Sequence, residues 1–200
     1  MILSDREIRA AVESGRIGLG PLPPEDDRRW ASHAIDLTLD REISVWSLPE
    51  GHGVESTFAP ASPNFNANEV ISRHTTAAVC DGDGFVLHPQ RFVLGWTVET
   101  LRLPFQSRIG ARVEGKSSLA RIGLGIHVTA PTIHPGFGTR GLDLTLVGSP
   151  LRLEIWNVGV YPIRLQKGMA ICQVLFEEVH GTPTNGYSGQ YAVQGPGKGG

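Results

Sequence analysis

Residues 114–130 read Glu-Gly-Lys-Ser-Ser-Leu-Ala-Arg-Ile-Gly-Leu-Gly-Ile-His-Val-Thr-Ala, and they combine two cations, two adjacent hydroxyls and three glycines. Glycine lets a backbone approach a ligand closely, and hydroxyls beside a cation form an anion site, most often for phosphate. A helical turn over this part of the stretch would bring Ser117 and Arg121 to the same side. The same composition also occurs in ordinary surface loops, so its chemistry alone leaves both interpretations open.

Length and composition limit the class of protein. The chain has 200 residues, enough for one domain with a full core, and 40% of them are hydrophobic. Its 25 glycines and 14 prolines favour turns and short strands over long helices. The net charge of −2 gives no broad attraction to nucleic acid or to an anionic membrane, so any anion site has to be local.

Cysteine usage and targeting signals indicate the compartment. Cys80 and Cys172 lie far apart in apolar segments and are predicted to be buried free thiols in a reducing environment. The sequence shows no apolar run of transmembrane length and no basic-then-apolar leader. We therefore expect a cytoplasmic protein that binds neither membrane nor nucleic acid.

Short alternating segments separated by turns predict an all-β fold. A capping box formed by Ser4 and Glu7 begins one short N-terminal helix, which Gly15 ends. Strands are predicted at Ala34–Leu39, Phe85–Pro89, Phe92–Glu99, Ile109–Val113, Thr132–Phe137, Leu142–Leu146, Leu151–Asn157, Ile163–Leu165 and Met169–Glu177. Many short strands at regular spacing are typical of a β-sandwich or a barrel.

Three other segments carry specific expectations. Strands 142–146 and 151–157 are predicted to form a hairpin that turns at Gly148–Pro150. Trp46–Asn68 is rich in Gly, Pro, Ser and Asn and is predicted to be a long irregular excursion. From Gly181 onward the apolar periodicity is lost, which predicts either a disordered tail or a flap that orders over a ligand.

The sequence lacks the signatures of several catalytic classes. It has no Cys-x-x-Cys element, and its seven histidines show no pair at ligand spacing, which argues against a zinc deaminase. A Gly-x-Ser-x-Gly elbow and a P-loop are also missing. Hydrolysis would therefore depend on side-chain acid–base groups.

Glu154 is the strongest acid–base candidate. It shares one face of its predicted strand with Arg152 and Trp156, while leucine and isoleucine occupy the other face. Partial desolvation by apolar neighbours suits a carboxylate that takes a proton from water and hands it on. The alternative is a solvated glutamate on the outer face of a strand.

The stretch 114–130 and the later Leu-Glu-Ile-Trp-Asn at 153–157 together resemble the dCTP deaminase family, relatives of the trimeric dUTPases. The match covers most of the chain outside residues 41–80, and the tail from Tyr187 to Gly195 resembles the family's C-terminal flap. The resemblance implies a distorted β-barrel or jelly-roll of the dUTPase-like type at residues 1–180. It also implies a flexible flap over the active site at 181–200, and a homotrimer with active sites between subunits.

The resemblance implies a reaction as well. Family members replace the 4-amino group of dCTP by oxygen and release dUTP and ammonia without zinc. Mg²⁺ accompanies the triphosphate, and dTTP is a candidate feedback inhibitor. On this basis Glu154 activates the water, with Arg121 and Ser117 at the reacting centre and the phosphates. The other residues implied in substrate binding are Lys116, Ser118, Leu119, Ala120, Ala130, His134, Arg152, Leu153, Tyr187, Gln190 and Gln194.

Three features depart from the family pattern. His134 stands where the family usually has Asp, Gln190 stands where a basic flap residue is usual, and an additional segment, Leu142–Pro150, precedes Glu154. In dUTPases the Asp of this turn positions a hydrolytic water, so we expect dUTP to be released intact. The alternatives are a dUTPase-type or bifunctional dCTP deaminase/dUTP pyrophosphatase, and a non-catalytic nucleotide-binding regulatory protein.

Overall fold

The computed structural model of the chain describes residues 1–47, 57–126, 130–139, 148–181, 183–185 and 191–195. Within these ranges the protein is mostly β-structure with few helices, which confirms the predicted all-β class. Across the same ranges there is no helix with the length and apolar character needed to span a membrane.

The regular elements are short, and most of them are strands. In chain order the first are α1 (Asp5–Glu13), β1 (Gly18–Gly20), β2 (Trp30–Ala31), β3 (Ala34–Thr38), β4 (Glu42–Trp46), α2 (Ala67–His74), β5 (Thr75–Val79), β6 (Phe85–Leu87) and β7 (Phe92–Arg102). A 3-10 turn (Phe105–Ser107) leads to β8 (Ile109–Gly115), α3 (Ser117–Ala120), β9 (Leu124–Ile126), β10 (Thr132–Ile133), β11 (Ser149–Asn157), β12 (Ile163–Leu165) and β13 (Ala170–Glu178).

Two main antiparallel sheets share one hydrophobic core. The first has the strand order β5-β4-β7-β11-β9, with β1 also paired to β7, and the second has the order β10-β8-β13-β3-β2. A separate two-stranded sheet joins β12 to β6. An isolated bridge between Leu39 and Thr97 links the two main sheets. Within the described residues neither main sheet closes on itself, so the predicted barrel is not seen there as a closed barrel.

The core is built from the inward faces of the long strands. In β11 buried and half-buried residues alternate over the whole strand, so every second side chain enters the core. The first sheet contributes Val93 and Ile155, and the second contributes Val174 and Phe176. Cys172 also lies in this core, and both Cys80 and Cys172 are buried free thiols, as predicted.

The N-terminal helix forms as its sequence predicts. The hydroxyl of Ser4 accepts from the backbone N–H of Glu7, and the carboxylate of Glu7 accepts from the backbone N–H of Ser4 at 2.9 Å. This capping box satisfies amide groups that the first helical turn cannot pair internally. Ile8 and Ala11 then bury the inner face of the helix against the core.

The predicted irregular excursion at Trp46–Asn68 is only partly correct. β4 extends through Trp46 and pairs with β5, a strand that the sequence pattern did not predict. Between them lies α2, which is capped by Asn66: the side-chain carbonyl of Asn66 accepts from the backbone N–H groups of Asn68 and Glu69. None of the residues of α2 is buried, so no apolar periodicity was present to predict it.

Two other expectations about strands need correction. The predicted turn at Gly148–Pro150 is wrong, because β11 begins at Ser149, and Ser149 and Pro150 pair with β7. Pro150 sits beside a register shift, where the lack of an N–H is tolerated. The apolar–polar alternation of Ala34–Leu39 predicts a half-buried strand, but β3 is buried on both faces, since Thr38 on its second face bonds the buried carboxylate of Glu99. The other arm of the predicted hairpin, Leu142–Leu146, lies outside the described residues.

Candidate active site

The stretch 114–130 forms a strand, a single helical turn and a second strand. β8 ends at Gly115, Lys116 is extended, and α3 follows at once, so this part of the stretch does contain a helical turn. Backbone hydrogen bonds from Ala120 to Lys116 (2.9 Å) and from Arg121 to Ser117 (3.2 Å) close the turn. The side chain of Leu119 packs against the core and fixes α3 to the body of the protein.

A cleft of about 490 Å³ opens in front of this turn. Its described lining residues are Glu114, Gly115, Lys116, Ser117, Ser118, Ala120, Leu124, Gly125, Ile126 and Gln173. Four of the predicted substrate-binding residues, Lys116, Ser117, Ser118 and Ala120, are therefore brought together at one surface. A cation and two exposed hydroxyls on a small-residue frame can bind an anion such as phosphate.

Lys116 is held at the edge of the cleft by an ion pair with Asp36. Asp36 lies opposite Gln173 on β13, and Gln173 lies opposite Glu114 on β8, so the three form one row across the second sheet. Both partners of the ion pair are shielded, with side-chain exposures of 23% for Lys116 and 12% for Asp36. The orientation of the motif's lysine therefore depends on a strand far away in sequence.

Three of the predicted site residues within the 114–130 stretch lie outside the described lining of the cleft. Arg121 and Ala130 are exposed, and Leu119 contributes to the core rather than to the cleft surface. In a single chain the cleft therefore contains groups that can bind phosphate, namely Lys116, Ser117 and Ser118, but not Arg121, the second cation of the stretch.

Glu154 lies on β11 with the neighbours that the alternation predicts. Arg152, Glu154 and Trp156 are half-buried on one face of the strand, and the residues between them are in the core. Leu153 is 0% exposed, so its side chain does not reach a ligand on the Glu154 face. Glu154 is not among the described residues that line the cleft.

Arg152 is fixed by contacts with two neighbouring strands. Its guanidinium carbon lies 4.3 Å from the centre of the Trp96 ring on β7, and its Nη2 donates to the hydroxyl of Ser44 on β4 at 2.8 Å. Burial lowers the pKa of Arg152, and the carboxylates of Glu42 and Glu154 act in the opposite direction. Arginine remains charged at neutral pH, so this face carries a partly buried cation close to Glu154.

Gly125 connects the cleft with the Glu154 face. It lines the cleft, and it lies opposite Trp156 in the register of β9 and β11. The indole of Trp156 covers Gly125 so closely that an added Cβ would be 2.0 Å from Trp156 Nε1. Glycine is required here because the backbone of β9 and this ring are in direct contact.

The described part of the C-terminal tail lies beside the turn that contains His134. His134 is exposed in the turn after β10. The N–H of Gly138 in the same turn donates to the carbonyl of Ala192 at 2.7 Å, and the N–H of Gln194 donates to Ser149 Oγ at 3.2 Å. Gln194 is thus placed near the start of β11, whereas the predicted flap residues Tyr187 and Gln190 lie outside the described residues.

Sequence reasoning missed the residues that support the candidate site from other strands. Asp36, Ser44, Trp96 and Gln173 were not predicted as residues of the site. Each lies on a strand distant in sequence from the residue it supports, so local patterns carry no signal for the contact. In the described ranges there is no group of three or more His, Cys, Asp or Glu side chains arranged to hold a metal ion.

Comparisons with known proteins find similar sequences and a similar fold. A family described as dCTP deaminase-like matches residues 2–179. The chain is 38% identical to a "dCTP deaminase, dUMP-forming" of Beutenbergia cavernae, over 95% of the chain and 91% of that protein. It is 33% identical to a "dCTP deaminase" of Rhodospirillum rubrum, over 94% of the chain and 88% of that protein.

A solved structure supports the fold. The crystal structure of 2'-deoxycytidine 5'-triphosphate deaminase from Agrobacterium tumefaciens aligns with a TM-score of 0.62 at 22% identity. The alignment covers 90% of this chain and 48% of the other, so this chain spans about half the length of that protein. At this identity the similarity concerns the arrangement of the strands.

Proposed function

The chain belongs to the dCTP deaminase-like family, and we propose that it hydrolyses dCTP to dUTP and ammonia. The observation that carries the proposal is the family match over residues 2–179, which includes both the 114–130 stretch and Glu154. The cleft at Lys116, Ser117 and Ser118 supports it, because a nucleoside triphosphate needs a site of this chemistry.

The proposed reaction uses side-chain acid–base chemistry. Glu154 takes a proton from water as the water oxygen bonds to C4 of the cytosine ring. Glu154 delivers that proton to N3 as the C4=N3 double bond opens, and it then moves the remaining proton of the C4 hydroxyl to the amino group, so the C4–N bond breaks, ammonia leaves and the C4 carbonyl forms. In this proposal Ser117 and Arg121 act at the reacting centre and the phosphates, and Lys116 and Ser118 bind the phosphates.

The substrate is proposed to be the magnesium complex of dCTP, with no zinc in the protein. Chelation should then slow the reaction only by removing Mg²⁺ from the nucleotide, and excess Mg²⁺ should restore it. Analysis of the pure protein should find much less than one zinc per chain. One tightly bound zinc per chain would contradict the proposed mechanism.

We propose that the active site is completed in a homotrimer. Within one chain Glu154 and Arg121 lie outside the described lining of the cleft, so a complete site needs groups from a second copy. The exposed apolar side chains of Ile122, Val158 and Val160 support an interface next to the motif. Light scattering at micromolar concentration should give the mass of a trimer of closed symmetry, and a monomer would contradict the proposal.

Two buried free thiols, Cys80 and Cys172, support a reducing cytoplasmic location for the enzyme. A nucleotide substrate is also consistent with that location. Treatment with a thiol-specific reagent should modify both cysteines after unfolding, which shows whether the purified protein carried them reduced.

A second candidate function is a bifunctional enzyme that converts dCTP to dUMP. The name of the Beutenbergia cavernae relative, "dCTP deaminase, dUMP-forming", favours it. The name of the Rhodospirillum rubrum relative, "dCTP deaminase", does not mention dUMP as a product. The two candidates differ in whether pyrophosphate accompanies ammonia.

One experiment separates these functions. The protein is incubated with dCTP, CTP, dCMP and dUTP in the presence of Mg²⁺, and the products are resolved by chromatography. dUTP and ammonia from dCTP support the deaminase, and dUMP with pyrophosphate supports the bifunctional enzyme. Binding of dCTP without turnover would instead indicate a regulatory nucleotide-binding protein. Adding dTTP to the same assay tests feedback inhibition.

A further inference from the structure

The short helix α3 connects the two main sheets beside the cleft. β8, which precedes it, belongs to the second sheet, and β9, which follows it, belongs to the first. At the first end of α3, Lys116 is paired with Asp36 of the second sheet. At the other end Arg121 is the C-cap residue, and β9 begins directly after residues 122–123. The two cations of the 114–130 stretch therefore stand at ends of α3 that are fixed by different sheets.

The end of β11 carries a buried amide next to the start of β9. Asn157 is the last residue of β11, it lies opposite Leu124, and it is 1% exposed. Its Nδ2 donates to the carbonyls of Leu87 at 3.0 Å and Tyr161 at 2.8 Å, and its Oδ1 accepts from the N–H of Gly159 at 2.9 Å. An ionised carboxylate of the same shape could accept the last of these bonds but could donate neither of the other two.

Two of these three bonds hold the loop of residues 158–161. The large side chains of this loop contribute little to the core, since Val158, Val160 and Tyr161 are 70%, 81% and 78% exposed. Packing of these side chains therefore does not define the shape of the loop. The hydrogen bonds of the Asn157 side chain to both Gly159 and Tyr161 do so instead.

The backbone of this loop lies directly against the segment that joins α3 to β9. The N–H of Val158 donates to the carbonyl of Gly123 at 2.9 Å. A Cβ added to Gly123 would lie 2.3 Å from the nitrogen of Gly159, and a Cβ added to Gly159 would lie 2.6 Å from the carbonyl oxygen of Ile122. The loop therefore determines where the backbone can run between α3 and β9.

We propose that Asn157 is a positioning residue for Arg121: by holding the 158–161 loop against Gly123, it fixes the end of α3 at which Arg121 stands. The inference rests on the proposed deamination, in which Arg121 acts at the reacting centre and the phosphates. Asn157 itself lies outside the described lining of the cleft, so it acts through the backbone. A misplacement of about 1 Å, even one caused far from the chemistry, can lower a rate about 100-fold.

Gly159→Ala tests the contact between the loop and the motif. Its Cβ would meet the carbonyl oxygen of Ile122 at 2.6 Å, so the loop has to move away from this segment, while the Asn157 side chain is retained. We expect kcat/KM for ammonia release from dCTP to fall roughly 10–100-fold in the folded variant. Gly20→Ala on β1 is the matched control, because no atom lies within 4 Å of its added Cβ, and its kcat/KM should equal that of the wild type.

Asn157→Asp tests the amide itself. The variant keeps the shape of the side chain but replaces Nδ2 by an oxygen that faces the carbonyls of Leu87 and Tyr161, and kcat/KM should fall at least as far as in Gly159→Ala. The matched control is Gln166→Glu, which makes the same change at an exposed amide that donates to the carbonyl of Gly82 at 3.3 Å. Its kcat/KM should be that of the wild type. If Asn157→Asp is poorly folded, Gly159→Ala carries the test.

Double-mutant cycles distinguish positioning of Arg121 from a general loss of structure. Combined with Arg121→Gln, Gly159→Ala should lower kcat/KM no further, because the group that it displaces has already been removed. Combined with Lys116→Gln, it should cost its full 10–100-fold, because Lys116 is held from the other sheet by Asp36. Equal coupling to the two cations, multiplicative losses with both, or wild-type kcat/KM in folded Gly159→Ala would each overturn the inference.

Failure of the proposed function would give a different result. Wild-type protein that binds dCTP without releasing ammonia would refute the deamination. The same cycles are then measured on the Kd for dCTP, where Gly159→Ala should again be coupled to Arg121 and not to Lys116. Wild-type protein that neither binds nor deaminates dCTP would refute both the function and the inference.

Discussion

Asp36 on β3 forms an ion pair with Lys116, eighty residues later in the chain, at the point where β8 turns into α3. β13 lies between the two strands, and its Gln173 both pairs with Asp36 and lines the cleft. The second sheet therefore does more than provide a scaffold for the motif. Through Asp36 this sheet supplies the counter-charge that fixes the position of Lys116 in the absence of a ligand.

Replacement of that counter-charge should destabilise the fold. Asp36→Asn leaves Lys116 partly buried without its anion, and we expect a loss of roughly 1–3 kcal/mol in the free energy of unfolding, between the values for exposed and buried pairs. Urea titration at neutral pH measures it. The control is Glu69→Gln, which breaks the exposed pair of Glu69 with Arg73 on α2 and should cost at most about 0.5 kcal/mol. Equal effects in the two variants would show that the Asp36 pair is no stronger than a surface pair.

Sequence patterns were sufficient for the longest strands of the two main sheets, where one face is buried over many residues. β11 shows this clearly, since its alternation of buried and half-buried residues placed Glu154 on the correct face. α2 and β5 were missed for the opposite reason. α2 buries no residue and β5 is largely exposed at the end of its sheet, so neither imposes a hydrophobic period on the sequence.

Glu154→Gln tests the proposed acid–base residue. Glutamine keeps the shape and hydrogen-bonding capacity of the side chain, but it cannot accept the proton of water. We expect ammonia release from dCTP to fall by about 10²–10⁴-fold, or further because the same group moves more than one proton. The Kd for dCTP, measured by calorimetry, should be retained. Turnover within a few-fold of the wild type would show that another group is the base.

The candidate site was predictable in its local part only. The 114–130 stretch is contiguous in sequence, so its hydroxyls and its lysine could be assigned to one cleft before the structure was known. The support of Arg152 by Ser44 and Trp96 depends on the order β4-β7-β11 within a sheet. Strand order of this kind is set by long-range pairing, which leaves no periodic trace in any one segment.

Gly125→Ala should destabilise the protein and displace Trp156. The added Cβ would lie 2.0 Å from Trp156 Nε1 and 2.4 Å from its Cδ1, and overpacking of this kind typically costs about 1–3 kcal/mol. Tryptophan fluorescence should change together with the midpoint of urea unfolding. Gly115→Ala is the matched control on the same cleft, because no atom lies within 4 Å of its added Cβ. A stable Gly125→Ala with unaltered fluorescence would mean that Trp156 does not cover Gly125 as closely as the structure has it.

Stability should fall at alkaline pH because of Cys172. Burial, followed by the charges of Glu99 and Asp36, raises the pKa of this thiol in the folded protein, whereas in the unfolded chain a thiol ionises near about 8.5. Below that pH the Cys172 thiol is protonated in both the folded and the unfolded state, so it does not make the free energy of unfolding depend on pH. Above it only the unfolded state releases the proton, so stability falls by up to about 1.4 kcal/mol per pH unit.

Cys172→Ala isolates this contribution. The variant loses packing at every pH, but its stability should decline less steeply than that of the wild type between about pH 8.5 and 10. Urea titrations at several pH values give the two slopes. Parallel slopes would show that Cys172 does not determine the alkaline limit of stability.

His134 bears on whether dUTP is released or hydrolysed further. His134 is exposed in a turn whose Gly138 is bonded to the C-terminal segment at Ala192, so this turn and the tail lie together. An ionised carboxylate only accepts hydrogen bonds and can draw a proton from water, whereas an imidazole at this position offers at least one donor in any protonation state. We therefore expect dCTP to give dUTP and ammonia without pyrophosphate. Coupled detection of ammonia and pyrophosphate from the same sample measures the ratio, and equal amounts of the two would refute the prediction.

His134→Asp is the companion variant: it places a negative charge close to the triphosphate and should weaken dCTP binding by repulsion, while the neutral His134→Asn should not. If His134→Asp binds dCTP like the wild type, the turn does not face the phosphates.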